Sequence, residues 1–133
     1  MTPETTFSYS PAAPTFQERL AEFFSFDGRI GRQQYWLRAI VLWGINLAMM
    51  VPLTIGQTVD GAVAALSIVI GLALYAVAMW GSLATTAKRL HDRGRSAWFM
   101  LIALIPLVGI WLVVEVGFLR GDEVPNEYGD PVA

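Results

Sequence analysis

Three apolar stretches, Trp36 to Ile55, Ala62 to Leu83 and Ala97 to Leu119, occupy about half of the chain. Each is close to the roughly 20 residues that a helix needs to cross the hydrocarbon core of a bilayer. The expected fold is therefore all-α: an integral membrane protein with three transmembrane helices, at about 36–55, 62–83 and 97–119. Charged residues make up only 15% of the chain and hydrophobic ones 55%, against about 25% charged in an ordinary soluble domain. Such a chain lacks the polar residues to cover a soluble surface. Its 133 residues leave room for one membrane domain, over 15–133, ending in a short acidic tail.

The basic residues give that domain an orientation. Arg19, Arg29, Arg32 and Arg38 precede or begin the first span, and Lys88, Arg89, Arg93 and Arg95 crowd the link between the second and third. The link between the first two spans holds only Asp60, and the tail sets Arg120 against Asp122, Glu123, Glu127 and Asp130. The positive-inside rule then puts the N-terminus and the 88–96 link in the cytoplasm. Three crossings put the C-terminus on the opposite, periplasmic side. Residues 1–14, rich in Thr, Ser and Pro, are expected to form a disordered cytoplasmic tail.

Thr15 and Glu18 have the spacing of a capping box, and Phe16, Leu20, Phe23 and Phe24 share one helical face. That pattern predicts a short amphipathic helix on the membrane surface, or docked on the protein's own loops. In the second span Ser67, Gly71, Leu74, Ala78 and Ser82 fall in a narrow arc. Small residues let membrane helices approach closely, so this stripe is expected to pack first within the chain and otherwise against another chain. Pro52 and Pro106 are expected to kink their helices. Trp36, Trp80 and Trp98 suit the ends of spans, whereas Trp43 and Trp111 read as deeper packing residues.

Two polar side chains lie inside the apolar stretches. Asn46 is expected to bond a neighbouring helix. Glu115, counted from Ala97 at about 1.5 Å per residue, falls near the far interface, where a carboxylate reaches water. Together they form a possible intramembrane polar site.

The densest chemistry runs from Ala87 to Trp98, with Lys88, Arg89, His91, Asp92, Arg93 and Arg95. Cations next to a bilayer attract anionic headgroups. Gly94 and Ser96 suit a turn followed by an N-cap. His91 beside Asp92 does not make a catalytic pair, since adjacency alone orients nothing and the chain has neither a second histidine nor a cysteine. No catalytic residue, metal site or cofactor is therefore assigned.

Three motifs carry a resemblance: Phe26 to Trp36, Arg89 to Trp98, and the closing Asn126 to Pro131. In that order they resemble the bacterial inner-membrane family called domain of unknown function 805, over about Phe23 to Pro131. The family pattern commonly has Arg at Lys88, a small polar residue at Arg93, Gly at Ala97 and Ser or Thr at Gly31. Losing a hydroxyl at Gly31 removes an N-cap for the first span. The resemblance implies a small multi-pass protein of the bacterial inner membrane, and no activity.

The expected function is that of a non-catalytic accessory or interaction protein. Arg29, Arg32, Lys88, Arg89, Arg93 and Arg95, with His91 and Asp92, would bind anionic membrane lipid, a larger membrane protein complex or a second copy. Nucleic acid is not an expected partner. The alternative is a small oligomeric transporter or channel using Asn46 and Glu115. The same arginines could instead serve only to set topology and cap helices.

Overall fold

The computed structural model describes residues 13–132. Most of the tail expected at 1–14 thus lies outside the described residues. Helix α1 spans Phe16–Phe24, α2 Arg32–Thr58, α3 Ala62–His91 and α4 Pro106–Gly117, with a 3-10 helix at Ala97–Leu104 before α4. All regular elements among the described residues are helical, as expected.

The first helix begins as its sequence dictates. The Thr15 hydroxyl accepts from the Glu18 backbone N–H at 3.3 Å, and the Thr15 N–H donates to the Glu18 carboxylate at 2.6 Å. Those bonds hold the Glu18 carboxyl below the usual carboxylate range. At its other end α1 is docked on α3: Phe24 and Phe23 lie against Gly81, and the Trp80 indole N–H donates to the Phe24 carbonyl at 3.1 Å. Phe16 and Leu20 remain exposed on the apolar face, so the helix combines docking with a surface suited to the bilayer boundary.

Helices α2 and α3 form an antiparallel hairpin closed by Val59 to Gly61, and both are long and apolar enough to cross a membrane. The small-residue stripe of α3 turns inward against α2. Ser67, Gly71, Ala78 and Gly81 are buried. A Cβ on Gly71 would stand 2.6 Å from Leu53 Cδ2, and one on Gly81 2.7 Å from Leu42 Cδ2. Close backbone approach of this kind substitutes for the hydrophobic drive that lipid removes. Gly71→Leu is expected to destabilise the hairpin by about 1–3 kcal/mol through overpacking, read as a lower unfolding temperature in detergent. Gly44→Ala, at a position with open space around it, serves as the near-neutral control.

The third apolar stretch departs from expectation. It is not one continuous helix across 97–119 but an out-and-back hairpin of the 3-10 helix and α4. The cause is Pro106. Its ring excludes the preceding residue from helical conformation, and Ile105 accordingly sits extended at φ −95° and ψ 110°. Pro106 then starts α4 at a position where a missing N–H costs nothing. A continuous helix of this length would separate its ends by roughly 30 Å. Instead the Arg95 Nε lies 2.6 Å from Glu115 Oε1. Each arm of 8 or 12 residues reaches about half of a bilayer's hydrocarbon depth. Leu104 and Leu107 at the tip are 81% and 82% exposed.

The hairpin returns the C-terminal tail to the end of the molecule where α1 and the start of α2 lie. The expectation that the tail sits across the membrane from the Arg29 motif is overturned, since Arg29 Nη1 donates to the Gly129 carbonyl at 3.0 Å. All nine Lys and Arg residues therefore gather at one end, leaving Asp60 as the only charged side chain at the other among the described residues. Trp43 and Trp111 are also corrected: they are 73% and 52% exposed and face outward. In lipid an outward ring is as well solvated as a buried one.

Candidate functional site

The three motifs separated in sequence converge at the basic end. Asp92, 1% exposed, lies between two guanidiniums. Arg29 Nε donates to its Oδ1 at 3.1 Å, and Arg89, fully buried, donates through Nη1 to its Oδ2. Two cations around one carboxylate leave excess charge and many N–H donors to satisfy. Backbone carbonyls supply that need. Arg89 Nε donates to Val116 O at 2.8 Å and Nη2 to Leu119 O, while Arg29 donates to Asp122 O at 2.6 Å, Val124 O at 3.1 Å and Gly129 O.

These acceptors are where they are because α4 ends at Gly117, which frees its last carbonyls, and the tail then runs past Asp92. Gly121 permits that passage: a Cβ there would collide with the Asp92 carboxylate. Asp122 N donates to Asp92 O at 2.7 Å. The closing motif forms a tight turn, in which Asn126 and Gly129 exchange backbone hydrogen bonds. Asn126 Nδ2 also donates to the His91 carbonyl at 2.9 Å.

His91 belongs to this framework. Its ring stacks on Tyr128 at 3.9 Å between centroids, and Nδ1 lies 3.2 Å from the Gly28 carbonyl, which fixes that nitrogen as the donor. The arrangement orients an imidazole without offering it a substrate. Lys88 is likewise taken up internally, donating from Nζ to the Glu22 carbonyl and to its carboxylate at 3.2 Å. Desolvation by partial burial would raise the Glu22 carboxyl, but Arg38 and Lys88 hold it below the usual range.

Glu115 and Asn46 do not meet. Glu115 is fully buried at the basic end, 2.6 Å from Arg95 Nε and 3.4 Å from Arg93 Nη2. It had been expected near the opposite interface, and the reversal at Pro106 accounts for the difference. Asn46 Nδ2 donates to Leu42 O at 2.9 Å, one turn back on its own helix, rather than to a neighbouring helix.

Beside the buried network lies a cavity of about 600 Å³ lined by Arg32, Gln33, Arg120, Asp122 and Glu123, with Arg89 and Asp92 at its wall. Its volume is in the range of small-molecule sites, about 300–1,000 Å³. An apolar cleft of about 420 Å³ adjoins it, formed by Trp36, Gly117 and Phe118, and Arg32 and Gln33 line both. The Trp36 and Phe118 rings meet edge-to-face at 5.6 Å, and Trp36 Nε1 donates to Gly117 O at 3.0 Å. Arg32 is exposed and makes one hydrogen bond, to Phe118 O at 3.3 Å.

Of the cations singled out by sequence, Arg29, Lys88 and Arg89 are thus committed to internal partners, with Arg89 also at the cavity wall, Arg93 and Arg95 pair with Glu115, and Arg32 is the exposed one that lines the cavity. Arg120, Asp122, Glu123 and Gln33 were missed. Gln33 lies within the first motif and the other three only near the last, and sequence alone did not join them, because the fold that does so depends on the turn at Pro106.

A family model described as "Protein of unknown function (DUF805)" matches residues 23–130. Over 94 residues the chain is 37% identical to the uncharacterized protein YiiR of Escherichia coli K12, an alignment covering 68% of this chain and 59% of YiiR. It is 29% identical over 115 residues to the inner membrane protein YhaH of the same strain, covering 84% of this chain and 91% of YhaH. A second inner membrane protein, YhaI, is 29% identical over 119 residues, covering 84% of this chain and 88% of YhaI. The chain thus spans about 59% of the length of YiiR. No solved structure matches. The matched region begins in α1 and contains all three converging motifs except Pro131, and on that match the chain belongs to the DUF805 family.

Proposed function

We propose that this chain is a non-catalytic accessory protein of the bacterial inner membrane that holds a phospholipid headgroup at its cytoplasmic end. One observation carries the reading: Arg32 stands at the seam between a polar cavity and an apolar aromatic cleft. A guanidinium at such a seam presents N–H donors to a phosphate while the cleft receives the adjoining hydrocarbon. Trp36, in the first turn of a span, is the residue type that sits at headgroup level. The broad basic surface expected from sequence narrows to this one cavity, since the other motif arginines have internal partners. An oligomeric channel has less support, because Glu115 is ion-paired at the polar end and Asn46 is bonded within its helix.

The gathering of basic residues at one end favours a cytoplasmic location for that end, and the tail contacts extend it to the C-terminus. Arg32→Ala is expected to reduce co-purified phospholipid, measured as phosphate per chain after mild-detergent extraction, by roughly fivefold or more. Arg19→Ala, outside the cavity, is expected to leave it unchanged. Equal retention in both variants would refute the proposal.

A further inference from the structure

The charged side chains that line the cavity carry both signs. Arg89 and Asp92 are paired in the wall, and the second cation on Asp92, Arg29, is taken up by tail carbonyls. Arg32 and Arg120 remain on one side of the account and Asp122 and Glu123 on the other. A purely anionic headgroup would meet two carboxylates there, whereas a ligand carrying both signs finds a partner for each. The Asp122 backbone is clamped by Asp92 O and by Arg29, and its carboxylate makes no hydrogen bond among the described residues. Among the described residues Glu123 is paired only with Arg120, at 3.7 Å and with both ends largely exposed. Such a surface pair is worth little and exchanges readily for another partner.

We infer that the ligand is an aminophospholipid, a phosphodiester bearing a primary ammonium, with its phosphate on Arg32, its ammonium at Asp122 and Glu123, and an acyl chain leaving past Trp36 and Phe118. This rests on the headgroup reading above and specifies its chemistry. A primary ammonium offers three N–H donors to carboxylates. A quaternary ammonium offers none and a glycerol headgroup offers no positive charge, so the site discriminates among lipids with identical chains. The apolar cleft excludes a free phosphoamine as the best ligand, because it contributes only when hydrocarbon fills it.

The test reconstitutes the full chain in vesicles containing equal parts of ethanolamine, glycerol and choline phospholipids with identical acyl chains. Retained lipid is then counted by native mass spectrometry after mild-detergent extraction. Wild type is expected to retain the ethanolamine lipid about fivefold over each of the others. The pair Asp122→Asn and Glu123→Gln is expected to abolish that preference by lowering retention of the ethanolamine lipid to the level of the other two. Arg32→Gln is expected to lower retention of all three lipids. Equal retention of the three lipids by wild type, or preference for the glycerol lipid, overturns the aminophospholipid assignment and leaves the headgroup site standing. Unchanged total retention in Arg32→Gln overturns the headgroup site itself. Helical circular dichroism of each variant, matched to wild type, separates these outcomes from unfolding.

Discussion

Replacing Arg89 with alanine is expected to cost about 3–5 kcal/mol, because it strips a fully buried cation from a charge network and strands its partners. The loss is structural before it is functional. Without Arg89, the carbonyls of Val116 and Leu119 lose their donors, and Asp92 keeps only Arg29. The end of α4 and the start of the tail are then no longer tied to α3. Heating in detergent followed by size-exclusion chromatography should show the Arg89→Ala protein losing its monodisperse peak well below wild type. Arg19→Ala, at an exposed position whose guanidinium bonds, among the described residues, the nearby Pro14 carbonyl, should track wild type. Survival of Arg89→Ala at wild-type temperatures would show that the network contributes little. The same physics warns against using Arg89 or Asp92 substitutions to test ligand binding, since lost retention would follow from lost structure.

The second large effect is topological. Reporters fused at residue 1 and residue 133 should give the same compartment, the cytoplasm, and a reporter in the loop at Asp60 should give the opposite one. In the expected arrangement two helices cross, while the 3-10 helix and α4 enter and leave by the same face. The half-depth reach of each arm and the Arg95–Glu115 contact at 2.6 Å support it. A periplasmic signal from the C-terminal fusion would restore a third continuous span and dismantle the site, because Arg29 could not then reach the Gly129 carbonyl. Pro106→Ala bears on the same point. It restores an N–H and frees Ile105 to become helical, so it should shift part of the population toward a continuous segment, detectable as a divided reporter signal.

Asp92 illustrates why the buried network was hard to foresee. Its i, i+3 partner Arg89 is local and could be read from spacing, but Arg29 lies 63 positions earlier in the chain. The acceptors that complete both guanidiniums are backbone carbonyls, which carry no residue signature. Sequence therefore displayed the cations as an available binding surface, when folding had already supplied their ligands. Lys88 failed for the same reason, its partner being Glu22 on α1. Arg32 stays exposed because it lies at the first turn of a span and has one internal bond among the described residues.

By itself the sequence determined the solvent and the secondary structure. Runs such as Ala62 to Leu83 force apolar helix, Thr15 and Glu18 set a helix start, and the small residues of α3 set a packing face. These follow from local spacing and from the cost of unsatisfied amides in lipid. Only the tertiary structure decided the direction of the last apolar segment, and with it the side on which the tail, Glu115 and the cavity lie. A proline in a long apolar run is compatible with either a kink or a reversal. The choice is made by distant contacts, here the return of Glu115 and the tail carbonyls to Arg95, Arg89 and Arg29, whose energies no local window contains.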